Sequence, residues 1–207
     1  MFTDRRQAGM RLAEKLASYK NTSALVVGLA RGGVVVAQEV ASKLFLPLDV
    51  LVVKKISSPH AAELAVGALA PDGVSLVNWR LVTATGVDER YIRTQIRQLA
   101  DQIKQKTLLY RKGRKPLAVR DKTVILVDDG AATGATFEVA VKWAVAKKAR
   151  KIVAAIPVTP PDTVARIVPE VSEVVTLETP EDFHSVGQFY RNFDQVEDEE
   201  VVQLLHA

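Results

Sequence analysis

Short apolar runs alternate along this chain with amphipathic stretches, in an order that predicts an α/β fold. Residues 2–19 carry apolar positions at Ala8, Leu12, Ala13 and Leu16, the spacing of a helix with one face to bury. Residues 24–29 are a continuous apolar run, as expected of a short strand covered on both faces. The turn Ala30-Arg31-Gly32-Gly33 leads into a helix reaching about Leu44, and Pro47 opens a second strand over residues 48–53 that ends in Lys54-Lys55. Strand, helix and strand joined by tight loops make a βαβ unit, for which a right-handed crossover is expected. Residues 64–77 read as a hairpin turning at Pro71-Asp72-Gly73.

The longest helix is predicted over residues 88–111, with Ile92, Ile96, Leu99 and Ile103 on one stripe and Arg93, Arg97 and Lys104 off it. A Lys/Arg-rich stretch at 111–122 then leads into the apolar run Val124-Ile125-Leu126-Val127. Beyond it the pattern predicts a helix from about Thr136 to Lys148, a strand at 151–156, a Pro-rich turn at 157–161 and a short helix. A strand at 171–177, an irregular segment at 179–193 and a short helix ending near Leu205 complete the chain. No repeat or low-complexity linker divides it, so residues 1–207 are expected to form one domain with a doubly wound, mostly parallel sheet.

Composition narrows the class. Hydrophobic residues make up 48% and charged residues 25%, ordinary for a globular protein. There is no cysteine, which excludes disulfides and thiolate metal sites and suits a reducing cytoplasm. The opening Met-Phe-Thr-Asp-Arg-Arg leads into an amphipathic helix and not an apolar signal core, and no apolar run approaches the roughly 20 residues of a membrane span. The net charge of +4 conceals an asymmetry. Residues 88–115 hold nine Lys or Arg against three Asp or Glu, whereas residues 162–207 hold eleven acids against two arginines. A basic helix often contacts nucleic acid. Here no aromatic interleaving accompanies it, so attraction of an anionic ligand or pairing with the acidic tail is the expected use, and nucleic acid is not an expected partner.

The most specific chemistry lies in residues 124–136, Val-Ile-Leu-Val-Asp-Asp-Gly-Ala-Ala-Thr-Gly-Ala-Thr. A buried strand delivers two carboxylates, Asp128 and Asp129, to its end, and a loop of small and hydroxylated residues runs on into a helix. Unpaired N–H groups and the positive end of the dipole make such a helix start an anion site. Gly134 permits close approach of the main chain, and Thr133 and Thr136 add hydroxyl donors. The two acids would repel a phosphate, so they should face a group that donates hydrogen bonds; a ribose diol beside a 5′-phosphate fits. Response-regulator receivers also carry a paired acid after a strand, but they open the domain with it and follow it with a charged helix. A P-loop would need Gly-Lys-Ser/Thr, which is absent.

This segment resembles the phosphoribosyl pyrophosphate (PRPP) loop of the type I phosphoribosyltransferases: apolar run, two acids, short spacer, then Thr-Gly-x-Thr. The resemblance implies Mg²⁺ as cofactor and transfer of ribose 5-phosphate from PRPP to a nitrogen base, with release of pyrophosphate. Ala131, Ala132, Thr133, Gly134, Ala135 and Thr136 would cradle the 5′-phosphate. Asp128 and Asp129 would hold the ribose hydroxyls and meet Mg²⁺ through water or those hydroxyls. Ala30, Arg31, Gly32 and Gly33 resemble the family's pyrophosphate loop, often cis, with Lys54 or Lys55 as a further diphosphate ligand; strand alternation predicts that one of the two lysines points inward. Arg31, Asp128 and Asp129 are the expected catalytic residues. Gly28-x-Ala30-x-x-Gly33 is a poor dinucleotide fingerprint, because the second strand ends in lysines where that reading needs an acid.

In the family a hood built from the chain ends holds the base. Here that implies residues 179–195 with the N-terminal helix, around a core of about 20–178 and an accessory hairpin and helix of about 64–115. Phe183, His184 and Phe189 are the candidate base-binding residues, with His184 a candidate acid/base; His60 and His206 read as surface residues. The 6-oxopurine enzymes place an acid where this chain has Ala132, which argues against hypoxanthine or guanine as acceptor. The helix at 88–111 lengthens the segment that forms the family's mobile lid, so carry-over stops near Lys55. PRPP and a small nitrogenous base are the expected partners, no membrane is, and a homodimer is allowed. The competing expectation is a non-catalytic PRPP-binding regulatory protein.

Overall fold

The computed structural model describes residues 1–59 and 61–207, residues 61–64 by their backbone alone. The surface expectation for His60 therefore lies outside the described residues. In chain order the elements are α1 (Arg5–Lys15), β1 (Leu25–Leu29), α2 (Gly32–Leu44), β2 (Leu48–Leu51), β3 (Lys54–Ser58), β4 (Ala61–Leu69), β5 (Ser75–Val77), α3 (Trp79–Ala84) and α4 (Glu89–Arg111). There follow β6 (Thr123–Val127), α5 (Ala135–Ala146), β7 (Lys151–Val158), α6 (Pro161–Ile167), β8 (Glu173–Glu178) and α7 (Asp198–His206).

Five strands pair in parallel in the order β2-β1-β6-β7-β8. Their continuous apolar runs have a simple cause: both faces of the sheet are covered. Leu25, Val27 and Leu29 of β1 pack with Leu126 and with Phe137 and Val141 of α5. The alternate residue Val26 packs on the other side with Ile125, Leu12 and Leu16 of α1, and Val36 and Val40 of α2. This is the doubly wound α/β sheet that the sequence predicts.

Three boundaries differ from expectation. The first helix begins at Arg5, where Asp4 accepts from the Gln7 amide as N-cap, and Phe2 lies outside it, bridged in parallel to Tyr190. The strand expected over 48–53 leaves the parallel ladder after Leu51, and Lys54 opens a second, antiparallel sheet of β3, β4 and β5. Its turn is at residues 71–73 as read, with Asp72 and Gly73 both at positive φ. The last strand begins two residues later and ends one residue later than the apolar pattern suggests, over Glu173–Glu178, and as an edge strand it is half-buried throughout.

Helix α4 docks as its stripe requires: Ile92 and Ile103 are buried, with Ile96 and Leu99 partly covered. It packs against α7, where Lys106 pairs with Asp198, the Tyr110 hydroxyl donates to the same carboxylate at 2.6 Å, and Arg114 donates to the Leu205 carbonyl. Part of the basic excess thus meets the acidic tail, as the charge asymmetry suggests. Among the described residues, no helix is long and apolar enough to cross a membrane.

Candidate functional site

Strand β1 has β2 on one side and β6 on the other, so the chain leaves β1 and β6 in diverging directions. A crevice opens at such a point beyond the carboxyl ends of the strands. Helices α2 and α5 both start there, and neither N-cap residue, Arg31 or Gly134, supplies a side-chain acceptor to the first turn. Two sets of helix-start amides are thereby directed at one place.

The two loops are in contact. A Cβ on Gly33 would sit 2.7 Å from the Val127 carbonyl oxygen, and one on Gly32 would collide with the Asp129 carboxylate. Close approach, rather than positive φ, is what requires glycine at both positions. The Ala30–Arg31 peptide is cis, as the loop resemblance implies.

The loop of residues 131–136 is held from its outer side. Thr159 Oγ1 donates to the Ala131 carbonyl at 2.9 Å, Thr163 Oγ1 to that of Ala132 at 2.7 Å, and Arg166 Nη2 to that of Thr133 at 2.6 Å. In a trans peptide the N–H points opposite to the preceding C=O. The amides of Ala132, Thr133 and Gly134 are therefore turned toward the side away from α6. Gly134 itself adopts φ +73° and opens α5. Thr163→Val, which keeps the shape and deletes the donor, is expected to lower stability by about 1–2 kcal/mol through the orphaned Ala132 carbonyl. An unchanged denaturant midpoint for this variant would show that the anchor is dispensable.

Asp128 and Asp129 occupy different environments. Asp129 Oδ2 accepts from Arg5 Nε at 2.6 Å, with only 11% and 13% of the two side chains exposed. Tyr190 donates its hydroxyl to the Asp129 carbonyl at 2.6 Å, and the Arg5 guanidinium lies 3.8 Å from the centre of the Phe193 ring. Among the described residues Asp128 accepts one hydrogen bond, from the Asp129 amide at 2.9 Å. Burial, and then the neighbouring Asp129 charge, pushes the Asp128 carboxyl well above the ordinary carboxylate range. Burial also raises Asp129, opposed by Arg5. Of the two acids, Asp129 is thus the one bonded to a cationic side chain among the described residues. No group of three or more potential metal ligands occurs among the described residues. An adjacent acid pair fits a hard cation such as Mg²⁺ that takes its remaining oxygens from water and ligand.

The two lysines open β3. Lys54 lines a cavity of about 280 Å³ with Ala30 and Arg31. Lys55 is exposed, and its charge reaches Asp128. Arg31 is engaged by the last helix: its Nη1 lies 3.5 Å from Glu197 Oε2 and 3.9 Å from Asp198 Oδ1.

In the hood, Phe183 and Phe189 lie 5.2 Å apart and join an apolar cluster with Phe2, Val158 and Tyr190. His184 is exposed and lies 3.2 Å from Asp182. His206, exposed as expected, has its Nε2 3.3 Å from the Tyr110 carbonyl. The hood meets the motif through Tyr190 and through Val186, which packs so closely on Gly130 that a Cβ there would collide with it. A cavity of about 970 Å³ between α4, α5 and the hairpin turn shares no residue with either loop.

Arg5, Thr159, Thr163, Arg166, Lys106 and Asp198 escaped the sequence reading. One signal was available: α1 begins Arg5-Arg6 with no acid in its first turn, against the dipole, which calls for an acidic partner elsewhere.

Comparison with known proteins adds to this geometry. Residues 3–194 match the family model described as a phosphoribosyl transferase domain. Two Mycobacterium tuberculosis proteins provisionally named phosphoribosyl transferases, MT0597 and Rv0571c, are each 43% identical over 205 residues, covering 99% of this chain and 46% of each relative. The chain therefore spans about half the length of these curated relatives. The crystal structure of TT1426 from Thermus thermophilus is 38% identical with a TM-score of 0.83, over 99% of this chain and 97% of that one. A purine phosphoribosyltransferase from Pyrococcus horikoshii, at 20% identity and a TM-score of 0.52 over 93% and 92% of the two chains, shares the fold.

Proposed function

We propose that this chain, which belongs to the phosphoribosyl transferase family, binds PRPP with Mg²⁺ and transfers ribose 5-phosphate to a nitrogen base, releasing pyrophosphate. The observation that carries the reading is the meeting of two uncapped helix starts and a half-buried acid pair in one crevice. In the proposed pose the amides of residues 131–136, with the Thr133 and Thr136 hydroxyls, take the 5′-phosphate. Asp128 and Asp129 accept from the ribose hydroxyls. Arg31, the amides of the 30–33 turn, Lys54 and Lys55 face the diphosphate.

Ribosyl transfer passes through a cation-like sugar as pyrophosphate departs, so the residues act mainly by position and charge. Asp128, with no arginine bonded to it among the described residues, would turn its carboxyl to the diol while the Asp129 amide supports one of its oxygens. Arg5 neutralises Asp129 and fixes its carboxylate. Lys54 and Arg31, which border one cavity, would set positive charge beside the departing anion. Mg²⁺, bound with the substrate, would add charge neutralisation at the diphosphate, with Asp128 and Asp129 as its protein partners.

The hood is the proposed base side, with Phe183 and Phe189 presenting half-buried rings and His184 an exposed imidazole. Ala132 in place of an acid favours an acceptor other than a 6-oxopurine. A cytoplasmic location is part of the proposal and agrees with a chain that carries no cysteine. Pyrophosphate release from PRPP–Mg²⁺, measured with a panel of purines, pyrimidines and related heterocycles, tests the proposal. Release with at least one base is the expected result. PRPP binding without turnover on any base would favour the regulatory alternative, and no binding of PRPP would exclude both.

A further inference from the structure

The cavity beside the 30–33 turn has a wall that the family motif does not supply. Ala30 and Arg31 come from the turn, Lys54 from β3, Lys106 and Tyr110 from α4, and Asp198 from the start of α7. Lys106 and Tyr110 are four residues apart on α4 and so share one face. Three cations from three elements thus converge on one small concavity. The acid that faces them is Asp198, whose carboxylate accepts from Lys106 Nζ and from the Tyr110 hydroxyl at 2.6 Å, with Arg31 Nη1 at 3.9 Å. Glu197 adds a second, more exposed acid 3.5 Å from Arg31.

A lone ion pair would need one lysine and one acid. Here Asp198 is shared between two cations while Lys54 borders the same space, leaving positive charge in excess along the cavity wall. The Lys106 and Arg31 side chains are 36% and 35% exposed, so both can swing on their long stems. Asp198 sits in the first turn of α7, where the helix dipole favours a carboxylate whether or not it is paired. A polyanion entering the cavity would therefore compete with Asp198 for the same donors, and α7 would not have to unfold to release them.

We propose that Lys106 is a further diphosphate-binding residue, supplied by α4, and that Asp198 is its exchangeable counter-ion. Asp198 holds Lys106 and Arg31 in position until diphosphate replaces it. The inference rests on the assignment of the 30–33 turn to the leaving group made above. It extends the site to a helix outside the motif and gives the last helix a positioning role.

Titration calorimetry with inorganic pyrophosphate and, separately, ribose 5-phosphate, both with Mg²⁺, tests it on the full chain. Lys106→Met is expected to weaken pyrophosphate about 10-fold, the loss of one charge-assisted contact, with ribose 5-phosphate unchanged. Lys106→Arg should restore most of the loss. Asp198→Asn should act in the opposite sense, tightening pyrophosphate several-fold while lowering the melting temperature, because the cations lose a competitor and α7 loses an anchor. A merely structural aspartate would lower both. Unchanged pyrophosphate affinity in Lys106→Met with ribose 5-phosphate binding intact, or weaker pyrophosphate binding in Asp198→Asn, overturns the inference alone. A wild-type chain that binds neither ligand overturns it together with the reading of the two loops.

Discussion

Gly134→Val is expected to abolish binding of PRPP and of ribose 5-phosphate, and to lower stability by about 1–3 kcal/mol, the range for a residue held in an unfavourable backbone region. Gly134 sits at φ +73°, which a β-branched residue resists. A Cβ there would lie 2.9 Å from Thr163 Cγ2, and Thr163 holds the Ala132 carbonyl. The substitution thus presses on the residue that orients the loop. The motif alone suggests that the phosphate itself fills this volume and that the position faces solvent. The structure fills it instead with Thr163, backed by Glu138, and buries Gly134. A loss of stability therefore accompanies the loss of binding. Thermal melts with and without PRPP–Mg²⁺ check both halves: at 100 times Kd the wild type gains about 2.7 kcal/mol by mass action, and the variant should gain nothing. A variant stabilised to the wild-type extent would place the phosphate elsewhere.

Asp128→Asn and Asp129→Asn are expected to weaken PRPP binding about 10- to 100-fold each, as loss of a charge-assisted contact implies. Their effects on stability should have opposite signs. Burial and the Asp129 charge hold the Asp128 carboxyl well above its ordinary value, whereas in the unfolded chain it ionises normally. Between those two pH values the unfolded state binds fewer protons than the folded one, so the contribution of this group to stability falls as pH rises. Asparagine carries no such loss. Asp128→Asn should then melt near the wild type in acid and above it at neutral pH, by about 2–4 °C for each 1 kcal/mol gained in a chain of this size. Asp129→Asn instead strands Arg5, whose side chain is only 11% exposed, and should melt below the wild type. Melting curves across pH settle the signs, and an Asp128→Asn protein that melts lower at neutral pH would refute the repulsion account.

Much of this was legible in the amino-acid order. Parallel strands covered on both faces leave unbroken apolar runs, so β1, β6 and β7 could be read directly, and the loop after β6 carries its chemistry in consecutive residues. Strand β3 was hidden because Lys54-Lys55-Ile56-Ser57-Ser58 offers one apolar residue and no alternation. Thr159 and Thr163 flank two prolines and read as a turn, although their hydroxyls hold carbonyls 28 and 31 residues away. The hood aromatics could be picked out, but not their packing with Phe2, which the pattern placed inside a helix. Apart from β3, what escaped was a contact between distant parts of the chain.

The joining of the two chain ends has a consequence for how the site comes into being. Phe2 donates its amide to Phe189 and accepts from Arg191, Thr3 accepts from Asn192, and from these flanks Arg5 and Tyr190 reach Asp129. Those two contacts to Asp129 span 124 and 61 residues of sequence. Contacts of such separation carry a loop-closure cost that the packing of the intervening elements has to offset. A growing or partly folded chain can possess the complete 124–136 segment and still lack a steadied acid pair. Ligand affinity in this protein should accordingly report the completeness of folding from end to end, and local loosening of either terminus should be felt first as weakened affinity, before the sheet itself gives way.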